Sequence, residues 1–252
     1  MSVAGKTVII TGAARGIGQE AARVFAAAGA NVVAADRNDC SETIRKAEGA
    51  GGKIIAASLD VTDVVSAKTM VEAGLKAFGR IDAIINNAAL YGGLKGGRFD
   101  AISEADWDAS MAVNVKGIWN CCKAAVPAMR QAGGGSIVNI SSLAATFGMP
   151  FSLHYTTSKA AVIGLTRGLA RELGRDSIRV NSIAPSAVLT EGTREFFAEK
   201  ADKALETVKA GQALQRNLEP IDITGAMHWL VSDDSRFVTG QTIAVDGGTV
   251  MN

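Results

Sequence analysis

The sequence predicts a doubly wound α/β domain, with helices on both faces of a parallel sheet of seven strands. Three observations predict it. Short apolar segments alternate with longer helix-like segments along the chain. The strand segments are apolar on both faces, as strands covered by helices on both sides are. No repeat, low-complexity tract or proline-rich linker interrupts the alternation, so residues 1–252 read as a single domain.

Each element follows in order. Residues 6–11 are a compact apolar run and give the first strand. The start of the chain lacks a charged stretch followed by a long apolar one, so it reads as this strand and not as a signal peptide. Residues 16–29, alanine-rich and amphipathic, give the first helix. Residues 31–36 are the second strand, followed by a polar, helix-like stretch to about residue 51. Residues 53–59 are the third strand, and residues 64–78 carry helical spacing. Residues 82–86 are the fourth strand, with a glycine-rich loop over 92–97 beyond it. A long helix is expected over 105–129, the fifth strand over 136–141, and a second long helix over 153–174. Residues 179–184 and 242–245 give the sixth and seventh strands. Strand–helix–strand units of this kind cross over right-handed. Ligands on such sheets bind beyond the carboxyl ends of the strands, near the point where the strand order reverses.

Composition removes several function classes. Hydrophobic residues make up 48% and charged residues 20%, with a net charge of +1. A nucleic-acid binder needs a basic face to neutralise phosphates, and none is indicated. No apolar run reaches the roughly 18 residues that span a bilayer. Cys40, Cys121 and Cys122 are odd in number, and no C-x-x-C pair occurs. They suggest neither a disulfide framework nor a metal site, and they fit a reducing cytoplasm. There is no G-x-S-x-G elbow and no H-E-x-x-H, so serine or zinc hydrolysis has no support. Gly5-Lys6-Thr7 is no P-loop, because it precedes a strand and lacks the upstream glycine.

Unusual residues cluster where strands end. Gly12, Gly16 and Gly18 fill the turn from the first strand to the first helix, together with Arg15 and Ile17. Glycines let the backbone turn tightly and approach a ligand. The free N–H groups and positive dipole end of the helix suit a pyrophosphate. Asp36 closes the second strand and can accept from an adenosine ribose diol, which favours NAD(H) and repels a 2′-phosphate. Arg37 and Arg15 argue for NADP(H), since guanidinium groups bind phosphate well.

Tyr155 and Lys159 are one helical turn apart and share a face. An ammonium near a phenol favours the phenolate, so the expectation is a Tyr155 with lowered pKa that exchanges a proton with an alcohol or carbonyl. Ser142, at the end of the fifth strand, can steady the substrate oxygen. Asn114 lies inside an otherwise apolar helix, where a buried amide needs partners. It can brace the helix or hold a water beside Lys159. His154 points elsewhere than its helical neighbour Tyr155 and receives no catalytic role.

Together these motifs resemble those of the short-chain dehydrogenase/reductase family, in its single-domain form of about 250 residues. The resemblance rests on Thr11-Gly12-x-x-x-Gly16-x-Gly18, Asp60-Val61, Asn86-Asn87-Ala88, Asn114, Ser142, Tyr155-x-x-x-Lys159 and Pro185 through Thr190, and it spans essentially the whole chain. It implies a Rossmann-like fold and a catalytic tetrad of Asn114, Ser142, Tyr155 and Lys159. Asp60 and Val61 would contact adenine, and Asn87 and Ala88 would line the cofactor. Beyond Pro185, Val188 and Thr190 would hold the carboxamide. The cofactor carries the hydride and the protein orients it.

Two positions depart from the family pattern. Ala89 stands where glycine is usual, and Ser186 follows Pro185 where Pro-Gly is usual. Residues 189–217 resemble the family's substrate-covering lid. Phe196 and Phe197 would close over an apolar substrate, with Leu90, Tyr91, Leu143, Met149, Phe151 and Ser186 as further candidate wall residues. The 184–186 stretch, His154-Tyr155 and residues 239–248 resemble the branch that includes 1-phenylethanol dehydrogenases. The expectation is NAD(H)-dependent interconversion of a small apolar or aromatic secondary alcohol and its ketone. An NADPH-dependent ketoreductase of the 3-oxoacyl type is the enzyme alternative. A non-catalytic nucleotide-binding protein is the alternative from another class. The resemblance also implies a homotetramer packed through the two long helices, where Ala160, Ala161, Gly164 and Gly168 permit close approach.

Overall fold

A computed structural model describes residues 2–251; Met1 and Asn252, the outer ends of the expected 1–252 domain, lie outside the described residues. Seven parallel strands form one sheet in the order β3-β2-β1-β4-β5-β6-β7. They are β1 (Thr7–Thr11), β2 (Asn31–Asp36), β3 (Ile54–Ser58), β4 (Ala83–Asn86), β5 (Gly135–Ile140), β6 (Ile178–Pro185) and β7 (Thr242–Val245). The order reverses between β1 and β4, which pair through Val8–Ala83, Ile9–Ile84 and Ile10–Ile85. A crevice opens beyond the carboxyl ends of these two strands.

The central strands are buried on both faces, and this is why they read as apolar runs without alternation. Alternate residues feed two cores. Val8 and Ile10 face a layer with Phe25 of α1 (Gly16–Ala27) and Ile223, Met227 and Leu230 of α10 (Pro220–Val231). Ile9 and Ile84 face the other layer, with Met70 of α3 (Val64–Phe78), Met129 of α5 (Gly117–Gln131) and Val162 of α7 (Leu153–Leu173). The remaining helices are α2 (Ser41–Lys46), α4 (Glu104–Met111), α6 (Ala144–Phe147), α8 (Glu191–Phe197) and α9 (Ala201–Ala210). Among the described residues, no helix is long and apolar enough to cross a membrane.

The long helix expected over 105–129 is interrupted. Residues Ala112–Lys116 form a π-helical turn between α4 and α5, with Asn114 at its centre. Such insertions widen the helix and recur at functional sites. The 189–217 segment has no strand and folds into α8 and α9. Thr190 starts α8, accepting from the Thr193 N–H at 3.2 Å.

Candidate active site

The phosphate turn is built by close packing of backbone. Gly12 has φ 67°, and a Cβ there would come within 2.8 Å of Ala88 Cα. A Cβ on Gly18 would run into the Gly12 carbonyl oxygen, so only glycine fits both positions. Asn87 fixes the turn from below: its Nδ2 donates to the Thr11 and Gly12 carbonyls at 3.0 and 3.1 Å. Thr11 Oγ1 accepts from the Asn87 and Ala88 N–H groups, both at 3.0 Å. The ends of β1 and β4 are thus tied across the crevice. The first turn of α1 contains no acidic side chain and has no side-chain cap, so its positive end faces the crevice unopposed.

Asp36 receives the Ala14 N–H at 3.0 Å and the Asn38 N–H at 2.9 Å, one on each carboxylate oxygen. A carboxylate has about four acceptor directions, so capacity for a ribose diol remains. Asp60 caps its own loop by accepting from Thr62, and that hydrogen bond holds its pKa below the usual carboxylate range. Asn120 supports the same loop through the Val61 carbonyl at 2.9 Å. Sequence reasoning missed Asn120; its signal is a polar residue in an apolar helix, as with Asn114.

Arg15 is committed elsewhere. Its guanidinium forms a two-pronged pair with Glu195 of α8, and Glu191 lies 3.6 Å away. The Glu195 hydrogen bond raises the pKa of Arg15 above its ordinary value and lowers that of Glu195. This links the turn to the lid segment and neutralises one of the two cations expected to attract a 2′-phosphate.

The candidate acid/base residues meet where β5 ends. Tyr155 and Lys159 are both buried on α7. Lys159 Nζ donates to the Ile140 carbonyl at 2.8 Å and sits 5.7 Å from the centre of the Tyr155 ring. Ser142 lies beside the Tyr155 phenol, and its Oγ accepts the Ala144 N–H at 3.1 Å. Burial lowers the Lys159 ammonium to about 8. Burial also pushes the Tyr155 phenol above its ordinary range, with Tyr91 adding to the rise and Ser142 opposing it. This corrects the expectation of a lowered Tyr155. Loss of hydration dominates, and the Lys159 ammonium is bonded to the Ile140 carbonyl instead of the phenol. Tyr155 therefore stands protonated at neutral pH, ready to donate.

Asn114 is fully buried on the π-helical turn. Its Oδ1 accepts the Leu90 N–H at 2.7 Å, and its Nδ2 donates to the Leu90 carbonyl at 3.3 Å and Ser158 Oγ at 3.0 Å. Both amide N–H bonds are thereby used in bracing the post-β4 loop against α7.

These groups share one cavity of about 510 Å³ that runs from Asp36 and Arg37 to Tyr155 and Lys159. Gly12, Arg15, Gly16, Ile17, Asp60, Val61, Asn87, Ala88, Pro185, Val188 and Thr190 line it, as do Ser142, Leu143, Tyr91 and Ser186. Gly18 and Asn114 stand behind the wall. Phe197 reaches the cavity, whereas Phe196 backs Tyr91, stacked at 4.7 Å between ring centres. Phe151 lies outside, 66% exposed. His154 is buried away from the cavity, and burial lowers its pKa. The three cysteines are buried thiols whose ionisation burial opposes, Cys40 rising to about 11.

The sequence comparisons agree with this arrangement. The family model described as Enoyl-(Acyl carrier protein) reductase matches residues 12–250. The chain is 39% identical to the 3-oxoacyl-[acyl-carrier-protein] reductase FabG of Thermotoga maritima, covering 100% of both proteins. A short-chain type dehydrogenase/reductase from Mycobacterium ulcerans superposes with a TM-score of 0.92 at 30% identity, over 99% of this chain and 91% of the other. A short chain dehydrogenase from Mycobacterium paratuberculosis bound to NAD gives 0.87 at 36% identity, over 99% of both chains. Fold, crevice and relatives converge: the chain belongs to the short-chain dehydrogenase/reductase family, single-domain oxidoreductases that work with NAD(P).

Proposed function

We propose that this protein interconverts a secondary alcohol and a ketone with NAD(H). The observation that carries the reading is the buried Tyr155, beside Ser142 and Lys159, in one cavity with the Asp36 carboxylate. A dinucleotide fits the residues present. The Gly12–Gly18 turn offers bare backbone, Asp36 keeps acceptor capacity, and Lys159 spends one of its three N–H donors on Ile140. The bound nicotinamide would supply or accept the hydride.

The chain's own residues do the rest. Ser142 orients the substrate oxygen, and Tyr155 donates a proton to it in reduction or accepts one in oxidation. Lys159 favours the phenolate when Tyr155 gives up its proton, and it can hold a ribose hydroxyl. Asn114 keeps the loop and helix in register. Tyr91, Leu143, Met149 and Phe197 form an apolar wall suited to a small aromatic or aliphatic ketone. Asp36 supports NAD(H), and the Arg15–Glu195 pair removes a competing phosphate ligand.

We read the working form as a cytoplasmic homotetramer joined through α5 and α7. Gly164 and Gly168 on α7 face open space, and Trp119 of α5 is 46% exposed, as surfaces awaiting a partner helix are.

A second reading, a 3-oxoacyl ketoreductase, draws support from the 39% identical relative. Turnover of an alcohol and ketone panel, 1-phenylethanol and a 3-oxoacyl thioester included, with NAD(H) and NADP(H), decides between them. Efficient turnover with NAD(H) and a simple secondary alcohol supports the first reading. Turnover confined to NADPH and the thioester replaces it with the second. Cofactor binding without turnover of any member leaves the nucleotide-binding protein.

A further inference from the structure

The cavity has a polar end that the chemistry above does not use. Ser186 lies beyond Pro185, at the end of β6. The Leu143 N–H donates to the Pro185 carbonyl at 2.8 Å, which sets Ser186 close to the Ser142–Leu143 strand end. Behind Ser186 stands Gln212, 4% exposed, whose Nε2 donates to Ser186 Oγ at 3.3 Å. Gln212 is held there by the tight approach of Gly247, where a Cβ would come within 3.2 Å of Gln212 Cδ. Gln212 Oε1 is buried without a hydrogen-bond partner among the described residues. A buried amide oxygen left unpaired is costly, so it marks a place where a polar partner belongs.

The hydrogen bond from Gln212 has a chemical consequence. Ser186 Oγ accepts it, so the Ser186 hydroxyl proton is left to donate. Ser186 lines the cavity, as do Thr207 and Thr249. The cations of the cavity, Arg15, Arg37 and Lys159, belong to the turn, the adenosine end and the catalytic centre. Asp246, 5% exposed, follows Val245, whose carbonyl accepts the Ser186 N–H at 3.3 Å, and its own oxygens are bound by the Gly248 and Val250 N–H groups. Among the described residues that line the cavity, no further cation is present to hold a carboxylate substrate group. An uncharged oxygen would meet a donor.

We infer that Ser186, oriented by Gln212, is a specificity-determining residue that binds a second, uncharged oxygen on the substrate, so that the preferred substrate is an oxygenated ketone. This rests on the ketone reading of the same site and narrows it. The residue that departs from the family's usual Pro-Gly thereby gains a role.

The test compares acetophenone with 2-hydroxyacetophenone and ethyl benzoylacetate, in the wild-type protein and in Ser186→Gly and Gln212→Leu. NADH binding and melting temperature accompany each variant to show that it is folded. The wild type is expected to favour at least one oxygenated ketone by about tenfold in kcat/KM, the worth of one hydrogen bond. Each variant is expected to reduce that preference to below about threefold, mainly through KM. A wild-type preference that persists in both folded variants, or no wild-type preference while acetophenone is reduced, overturns this inference and leaves the ketone reading standing. If no ketone is reduced although NADH binds, the ketone reading itself fails, and the inference falls with it.

Discussion

Replacing Asp36 with alanine is expected to move cofactor preference from NAD towards NADP by two to three orders of magnitude. The carboxylate makes two bonds to backbone N–H groups and retains capacity for the ribose diol. Losing one hydrogen bond to a charged acceptor costs NAD about 1.5–3 kcal/mol, or roughly ten- to hundredfold in affinity. NADP gains from the opposite direction. A 2′-phosphate about 4 Å from a carboxylate is repelled by up to about 4 kcal/mol at an effective dielectric constant of 20, and the half-buried setting reduces this to roughly 1–2 kcal/mol. The substitution also frees the Ala14 and Asn38 N–H groups, next to Arg37, to receive phosphate. Arg15 contributes little while Glu195 holds it. Dissociation constants for NADH and NADPH, read by quenching of the protein's tryptophan fluorescence, give the shift directly, and kcat/KM for both cofactors gives its kinetic counterpart. A change below about threefold in the NADH/NADPH ratio would refute the placement of the ribose at Asp36.

Two further outcomes follow from the same geometry. Because burial raises Tyr155, its protonated form dominates at neutral pH, so ketone reduction should hold level from about pH 6 to 8 while alcohol oxidation rises with pH over that range. Above about 8 the Lys159 charge is lost and its support for the phenolate with it, so the rise in oxidation should flatten. Profiles of kcat/KM in both directions check this, and oxidation that falls between pH 6 and 8 would contradict it. Gly18→Ala places a Cβ against the Gly12 carbonyl and Asn87 Nδ2, an overpacking worth about 1–3 kcal/mol. At this chain length that is a fall of roughly 2–10 °C in Tm, with weaker NADH binding; an unchanged Tm speaks against the close approach.

Much of the fold was legible because its sheet is wholly parallel. Strands buried on both faces have no alternating pattern to blur, and β7 was found with the bounds it has in the structure. Helix α10 was not legible. That helix buries Ile223, Met227, Leu230 and Val231 on one face, but Ile221, 44% exposed, and the partly buried Ala226 and Trp229 put apolar residues on the other, so the stripe does not stand out in the sequence. Its start nevertheless carried a signal: Pro220 opens it, and Asp222 accepts the Glu219 N–H at 2.9 Å. The π-helical turn at Asn114 was hidden because periodicity cannot register a single added residue within a long helix. The position of the proposed acid/base pair was legible from its spacing, but its ionisation was not. Charge type is written in the sequence, whereas burial and the Ile140 carbonyl that draws Lys159 away arise only on folding. The Gln212–Ser186 contact joins segments far apart in the chain and had no local signature.

The proposed chemistry depends on Tyr155 as the proton donor and acceptor. The most direct measurement is turnover of a ketone by Tyr155→Phe with saturating NADH, beside the NADH dissociation constant of the same variant. Removing one positioned acid/base group should lower kcat by about 10²–10⁴-fold, with NADH affinity changed by less than about threefold. A variant that binds NADH as the wild type does and keeps more than a tenth of its kcat would show that the proton comes from another group.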